Sequence, residues 1–276
     1  MTPLAVHRSR KLIPEFALHR PRSAAEAVAM KAAAGPGGVF MAGGIDVVNR
    51  MKFGAPVTDL IHLAGVNGLY DIEEAAGGLR LGALVTHDRL ATSPLVRSRL
   101  PDLVQCWPEV ANIRIRCKGT IGGNIMARDP GYDFALASMA ADARLHFLTA
   151  DGGMRVIAVS EPDAVTEDGL LTAITMPSGA ALRLIFDRSL RPIVSLAVGL
   201  DVADGHITGG RVAIGCAYHT PAVARLPPIG PVRQSGEVAG MVATGLPEPV
   251  ADHHASPGYR RRMIEVLLRR ILEGLT

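Results

Sequence analysis

The sequence predicts an α+β protein, with two αβ subdomains followed by a domain of antiparallel sheet and helix. Three observations lead there. Two short segments, Ala42-Gly43-Gly44-Ile45-Asp46 and Thr120-Ile121-Gly122-Gly123-Asn124, each set a glycine pair between an extended stretch and one of helical character. The last third instead carries period-2 strands around a turn and closes on an amphipathic helix. The length, 276 residues, is enough to bury one complex core or two to three subdomains.

Taken in order, a short strand opens the chain and a helix follows over 24–34, where Ser23 and Glu26 have the spacing of a capping box. Gly35-Pro36-Gly37-Gly38 ends that helix, and 38–41 reads as a buried strand feeding the first glycine turn. An extended run over 113–117 is predicted to feed the second. Between and beyond lie strands at 79–84, 145–149 and 155–159. Ser93-Pro94 starts a helix in N-cap then N1 order, and Asp129-Pro130 starts another whose apolar face (Phe134, Leu136, Ala137, Met139, Ala140) packs inward. Strands at 193–202 and 211–217 form a hairpin around Asp204-Gly205, and the Pro-rich stretch 220–231 reads as a loop. A final helix spans 257–272 with Gly274 beyond it; Glu265 and Arg269 are spaced to pair, and Arg260 to Arg262 read as a solvated basic cluster or a partner contact. The boundaries predicted are 1–56, 57–177 and 178–276.

A glycine pair has no Cβ to obstruct a bulky group and can take positive φ, so successive backbone N–H groups can converge on an anion near a helix N-terminus. Two such turns suit a diphosphate gripped from both sides, hence a nucleotide-type cofactor. Neither is a dinucleotide fingerprint, and no Gly-Lys-Ser/Thr of a Walker loop occurs. Asp46 and Asp133 fall near helix starts, where a carboxylate can cap N–H groups or take a ribose hydroxyl. A net charge of +3 gives no case for nucleic acid or a membrane surface, and no run approaches a membrane span or a signal peptide, so the cytoplasm is the expected location. Cys106, Cys117 and Cys216 are scattered and read as small buried or half-buried hydrophobes; without a Cys-x-x-Cys the chain offers no thiolate set for an iron–sulfur cluster or zinc. The pair His253-His254 lacks a carboxylate at metal-ligand spacing, and no nucleophile elbow exists, so no catalytic and no metal residue is assigned.

The stretch 41–143 resembles the FAD-binding medium subunit of the molybdenum hydroxylases, the xanthine dehydrogenase family. The likeness runs through both glycine segments, Met51-Lys52, Asp59-Leu60-Ile61, Gly78 to Ala83, Thr86-His87, Ser93 to Val96, Leu100-Pro101, Ile113-Arg114 and Asp129-Pro130 with Asp133. It continues more loosely through Leu170 to Ala173 and Met176-Pro177 to Asp252 to Ser256 and Tyr259 to Arg261. It implies a PCMH-type FAD-binding fold of two αβ subdomains plus that family's C-terminal domain. It also implies FAD in this chain, with molybdopterin in a large partner subunit and [2Fe–2S] clusters in a small one. Electrons would pass from the clusters through FAD to an external acceptor, in a heterotrimer doubled about a two-fold axis. Carried over, the FAD contacts fall on Ala42, Gly43, Gly44, Ile45, Asp46, Thr120, Gly122, Gly123, Asn124, Asp133 and Leu171; the two turns hold the diphosphate, Thr120 adds its hydroxyl, and Leu171 packs at the flavin end.

Three departures stand out. Ile45 replaces a hydroxyl or imidazole residue, leaving only its amide; Asp187, beside Arg188, falls where some members carry a lysine near the flavin; and 160–169 lacks the usual aromatic segment. Two other functions remain open: a stand-alone flavin oxidoreductase, which needs its own pocket and base, and an assembly subunit without cofactor.

Overall fold

The structure, a computed structural model, describes residues 13–107, 110–161, 169–179, 182–189, 193–204, 206–229 and 234–274. Most of the 160–169 departure therefore lies outside the described residues. β1 (Ala17–His19), β2 (Gly38–Met41) and β3 (Asp59–His62) form a parallel sheet with β3 in the centre. α1 (Ala24–Ala34) connects β1 to β2, and α2 (Ile45–Lys52) follows the first glycine turn. The predicted cap forms: Glu26 N–H donates to Ser23 Oγ at 3.1 Å, and Arg22 N–H donates to the Glu26 carboxylate at 2.7 Å. Because β3 completes this sheet, the predicted boundary after residue 56 cuts through it; a parallel sheet needs a crossover, and here the second return strand lies beyond the cut.

The second sheet is antiparallel, with β4 (Ile72–Ala75), β5 (Gly78–Gly82), β6 (Arg144–Leu148), β7 (Met154–Ala158) and β8 (Leu170–Pro177) in the order β4-β5-β8-β6-β7. Between β5 and β6 the chain winds through α3 (His87–Thr92), α4 (Pro94–Arg99), α5 (Pro101–Cys106), α6 (Ile113–Arg116), α7 (Ile121–Met126) and α8 (Asp133–Ala140). Leu79, Leu81, Leu145, Phe147 and Ile174 of the sheet share one core with Trp107, Phe134 and Leu136. Two predictions are corrected here. The run 113–117 is helical, not extended, because Asn112 Oδ1 accepts from Ile115 N–H at 3.1 Å and caps α6. The helix expected at Asp129-Pro130 starts at Asp133, since Asp129 Oδ1 takes the Gly131 N–H at 2.8 Å and makes a turn first.

The third sheet, β9 (Leu182–Arg188), β10 (Ser195–Ala203), β11 (His206–Gly215) and β12 (Ala222–Leu226), is an antiparallel meander. The predicted hairpin is β10–β11, with Asp204 at φ 50° and Gly205 outside the described residues. β12 occupies part of the stretch read as loop, pairing with β11 from Gly210↔Leu226 to Ile214↔Ala222. α9 (Ser235–Gly245) and α10 (Pro257–Glu273) cover one face, where Leu196, Val198 and Val212 meet Val238, Ile264 and Leu268. On the other face the central strands carry small residues, Ala197, Gly199 and Ala213, beside Leu184 and Phe186 of β9, and a Cβ on Gly199 would collide with the carbonyl oxygen of Ala140. α8 therefore lies between the second and third sheets, and all its residues are buried rather than one face only.

Of the basic cluster of α10, only Arg262 is exposed. Arg260 is sealed inside the third domain, donating to Ile193 O at 2.6 Å, Cys216 O at 2.7 Å and the Asp252 carboxylate at 2.6 Å. Arg261 donates to Leu246 O at 3.1 Å and Pro247 O at 3.0 Å, so both arginines tie carbonyl ends together. On the outer face the pairs are Arg262–Glu265 at 2.8 Å and Arg269–Glu273 at 3.9 Å, and the predicted Glu265–Arg269 pair does not form. Cys117 is exposed, against expectation, because it ends the short α6; Cys216 is half-buried.

Candidate functional site: a cleft between two glycine turns

A cleft of about 780 Å³ opens between the first and second sheets, and every residue named above as a candidate cofactor contact lines it. Ala42 to Asp46 form one wall, Thr120 and Gly122 to Asn124 another, and Asp133 and Leu171 complete it. The first turn ends on Gly44 at φ 77°, a left-handed conformation that only glycine takes without strain. Gly44 is also the N-cap of α2, and it has no side chain to offer. The first amides of α2 have no intrahelical acceptor by construction, so this helix presents an uncapped, electropositive N-terminus to the cleft.

The second turn is different in kind. Ile121 N–H donates to Val85 O and Gly122 N–H to Ala83 O, both at 2.9 Å. Gly123 N–H donates to Thr120 Oγ1 at 3.1 Å, and Asn124 N–H to Thr120 O at 2.9 Å. The amides of the second turn are thus already engaged within the protein, whereas those at the start of α2 are the ones left open to a ligand. The glycines here make room instead. A Cβ on Gly122 would lie 2.6 Å from Ala83 O, whereas one on Gly123 would enter the cleft, with Thr120 Oγ1 at 3.0 Å and Ala42 Cβ at 3.9 Å. The two turns also touch, for a Cβ on Gly43 would fall on the carbonyl oxygen of Lys118. Asn124 has a structural duty as well: its Oδ1 accepts from Ala135 N–H at 3.1 Å and caps α8 from α7.

Charge is distributed unevenly around the cleft. Asp133 is buried, and burial pushes its carboxyl up to about 6, opposed by Arg188 at 3.8 Å. Asp46 is also raised by burial and by Asp129, with Arg50 at 3.8 Å pulling the other way. Asp187, the departure expected near a flavin, does not line the cleft; it pairs with Arg270 Nε at 2.8 Å on α10. Its neighbour Arg188 does line the cleft, so a cation stands beside Asp133 there. Ile45 leaves its side chain at the mouth. Lys31, Arg128 and His87 also line the cleft, and sequence reasoning assigned them nothing. For His87 the readable signal was a histidine directly after an N-cap threonine and an apolar run, Leu81 to Val85.

An open helix N-terminus, a glycine whose missing Cβ leaves space, and a cleft at the upper end of the range for small-molecule sites together fit an extended cofactor with a diphosphate. Comparisons with known proteins agree. The medium chain of carbon monoxide dehydrogenase from Afipia carboxidovorans is 28% identical over 294 residues, covering 95% of this chain and 97% of that one. The nicotine 6-hydroxylase medium subunit of Paenarthrobacter nicotinovorans is 27% identical, covering 82% and 84%. Among solved structures, a carbon monoxide dehydrogenase from Hydrogenophaga pseudoflava matches with a TM-score of 0.85 at 25% identity, covering 94% of this chain and 96% of that one. Quinoline 2-oxidoreductase from Pseudomonas putida 86 shares the fold, with a TM-score of 0.86 at 24% identity over 96% and 98%. Residues 14–179, well over half of the chain, match the family described as the FAD binding domain in molybdopterin dehydrogenase. The chain belongs to that family, and is an FAD-binding medium subunit of the molybdenum hydroxylase type.

Proposed function

We propose that this chain is the electron-transfer subunit of a heterotrimeric molybdenum hydroxylase, working in the cytoplasm between a partner's [2Fe–2S] clusters and an external acceptor. The observation that carries the reading is the cleft itself, which pairs the uncapped N-terminus of α2 with the open position over Gly123. Bound there, FAD supplies the exchange of electron pairs, and the protein supplies position and electrostatics. The amides of α2 would meet the diphosphate, Arg188 would set the charge beside Asp133, and Leu171 would pack at the flavin end. Thr120 would keep its hydroxyl proton to donate, its oxygen already accepting from Gly123. Molybdopterin and the clusters belong to the large and small partner subunits, and the assembly is a dimer of heterotrimers, symmetric pairs being the commonest closed form. Among the described residues no helix is long and apolar enough to cross a membrane.

The test is anaerobic reduction. Purified protein should show a flavin absorption spectrum, and dithionite should bleach it both alone and in the complex. The complex's organic substrate should bleach it only when the partners are present. Bleaching of the isolated chain by that substrate would place the chemistry here and favour a stand-alone oxidoreductase; a colourless chain that takes up no FAD would favour an assembly role.

A further inference from the structure

We infer that His87 is a cofactor-binding residue of this cleft, its Nε2–H donating a hydrogen bond to an acceptor atom of the bound FAD. The inference rests on the FAD reading above and adds a contact to it. The ring is fixed before any ligand arrives. His87 follows the N-cap Thr86, its own N–H donates to Gly119 O at 3.1 Å, and its Cδ2 lies 3.3 Å from where a Cβ on Gly119 would stand. Trp107 and Phe134 flank it with ring centroids at 5.7 and 6.2 Å.

The two nitrogens differ. Nδ1 is sealed from solvent and bonded to nothing in the protein. Among the described residues Nε2 has no protein partner either and is not one of the sealed polar atoms, and the residue lines the cleft while being only 4% exposed. The cleft is therefore where an acceptor for Nε2 can enter. The other sealed polar atom of this aromatic cluster is Trp107 Nε1, which can only donate. A proton on Nδ1 would bury a second unpaired N–H among the same rings, so the proton belongs on Nε2, where it faces a ligand. Burial holds the ring neutral near pH 7, its pKa lowered to about 4, so it offers a hydrogen bond rather than a charge. A leucine would fill this aromatic niche without an unpaired nitrogen; a polar ring is offset only by what enters the cleft.

The experiment strips the flavin from the full chain and titrates FAD back, following quenching of Trp107, the only tryptophan. His87→Phe keeps the ring packing and removes the donor, and should weaken FAD about tenfold, the worth of one buried hydrogen bond. His87→Gln retains a donor at similar reach and should stay within about threefold of wild type. An unchanged affinity in His87→Phe, or a His87→Gln as weak as His87→Phe, would reduce His87 to packing and overturn the inference. Should His87→Phe fail to fold, nitrogen NMR of the histidine-labelled wild-type holoprotein decides. A proton on Nε2 whose resonance shifts on FAD addition supports the contact, and one on Nδ1 overturns it. If the wild-type chain itself takes up no FAD, both the cofactor reading and this contact fall, whereas an unchanged His87→Phe in a chain that binds FAD removes this contact alone.

Discussion

The turn at 42–46 meets the cleft with the uncapped N-terminus of α2, whereas the turn at 120–124 has the first amides of α7 bonded within the protein. We read the first as a binding surface and the second as a joint that also borders the cleft. In the joint, glycine serves close packing against Ala83 and a clear space above Gly123, and the anchors are carbonyls of 83 and 85, just beyond β5. In the binding surface, glycine serves a left-handed cap that leaves N–H groups for a ligand. A glycine pair before a helix thus has two distinct physical uses, and only the fate of its amides tells them apart.

Substitution can break this contrast at its strongest point, where the two turns touch. Gly43→Ala forces the backbone at Lys118 to move, and should cost about 3 kcal/mol, a fall of about 6–12 °C in melting temperature, with loss of flavin. A melting curve within 2 °C of wild type, a threshold set by the scale of about 1 kcal/mol, would show that the turns do not lean on each other. Gly123→Val separates space from stability. It should lower FAD affinity on the order of 100-fold by filling the cleft, while stability falls by only about 1 kcal/mol. Retention of full yellow colour after gel filtration would remove Gly123 from the site.

Acid sharpens the comparison by reading the walls separately. His87 backs the second turn, and its folded pKa of about 4 lies below the usual 6.5. In that window the unfolded chain takes a proton that the folded chain refuses, so stability falls as pH falls, by about 3 kcal/mol in all. Asp133, raised to about 6 from 3.8, does the reverse: the folded chain holds the proton in that window, and stability rises by about 3 kcal/mol as pH falls. The two slopes largely cancel. Asp133→Asn should uncover the histidine's, giving a chain that loses about 3 kcal/mol more than wild type does between pH 6.5 and 4 by urea unfolding. A flat profile in the variant would mean that His87 is not held neutral. The smallest effect is expected at the cap: Thr120→Ala should cost about 1 kcal/mol, the usual worth of an N-cap oxygen, measured by the same unfolding curves. The first turn has no such side chain to lose.

What the sequence made legible was local. The caps at Ser23 and Ser93, the strand before Gly43, the β10–β11 hairpin and the helix after Ser256 each depend on neighbours within a few residues, and each is present. β8 was missed as a strand because it is buried nearly throughout and shows no alternation. α6 was misread because Ile113-Arg114-Ile115-Arg116 alternates apolar and basic, the period of a strand, while its cap at Asn112 decides for helix. The same held at the site. All the residues assigned to a cofactor line one cleft, yet the bonds from Gly122 and Ile121 to Ala83 and Val85 come from a distant segment and could not be read. Arg260 was misread for the same reason, since its partners Ile193 and Cys216 are far away in the chain.

Gly43 has a consequence for how this protein's history would be read. What forbids a side chain there is a carbonyl oxygen of the same chain, at Lys118, and not a ligand. A descendant that had abandoned flavin would still be held to glycine at 43 for as long as the backbone at 118 kept its course. Gly123 answers to the opposite pressure, because a Cβ there meets mainly empty cleft, and once the cofactor is gone larger residues become harmless or even fill a void. In tracing which lineages still carry flavin, the glycine at 43 is a silent witness, and drift at 123 is the mark that the cofactor has been lost.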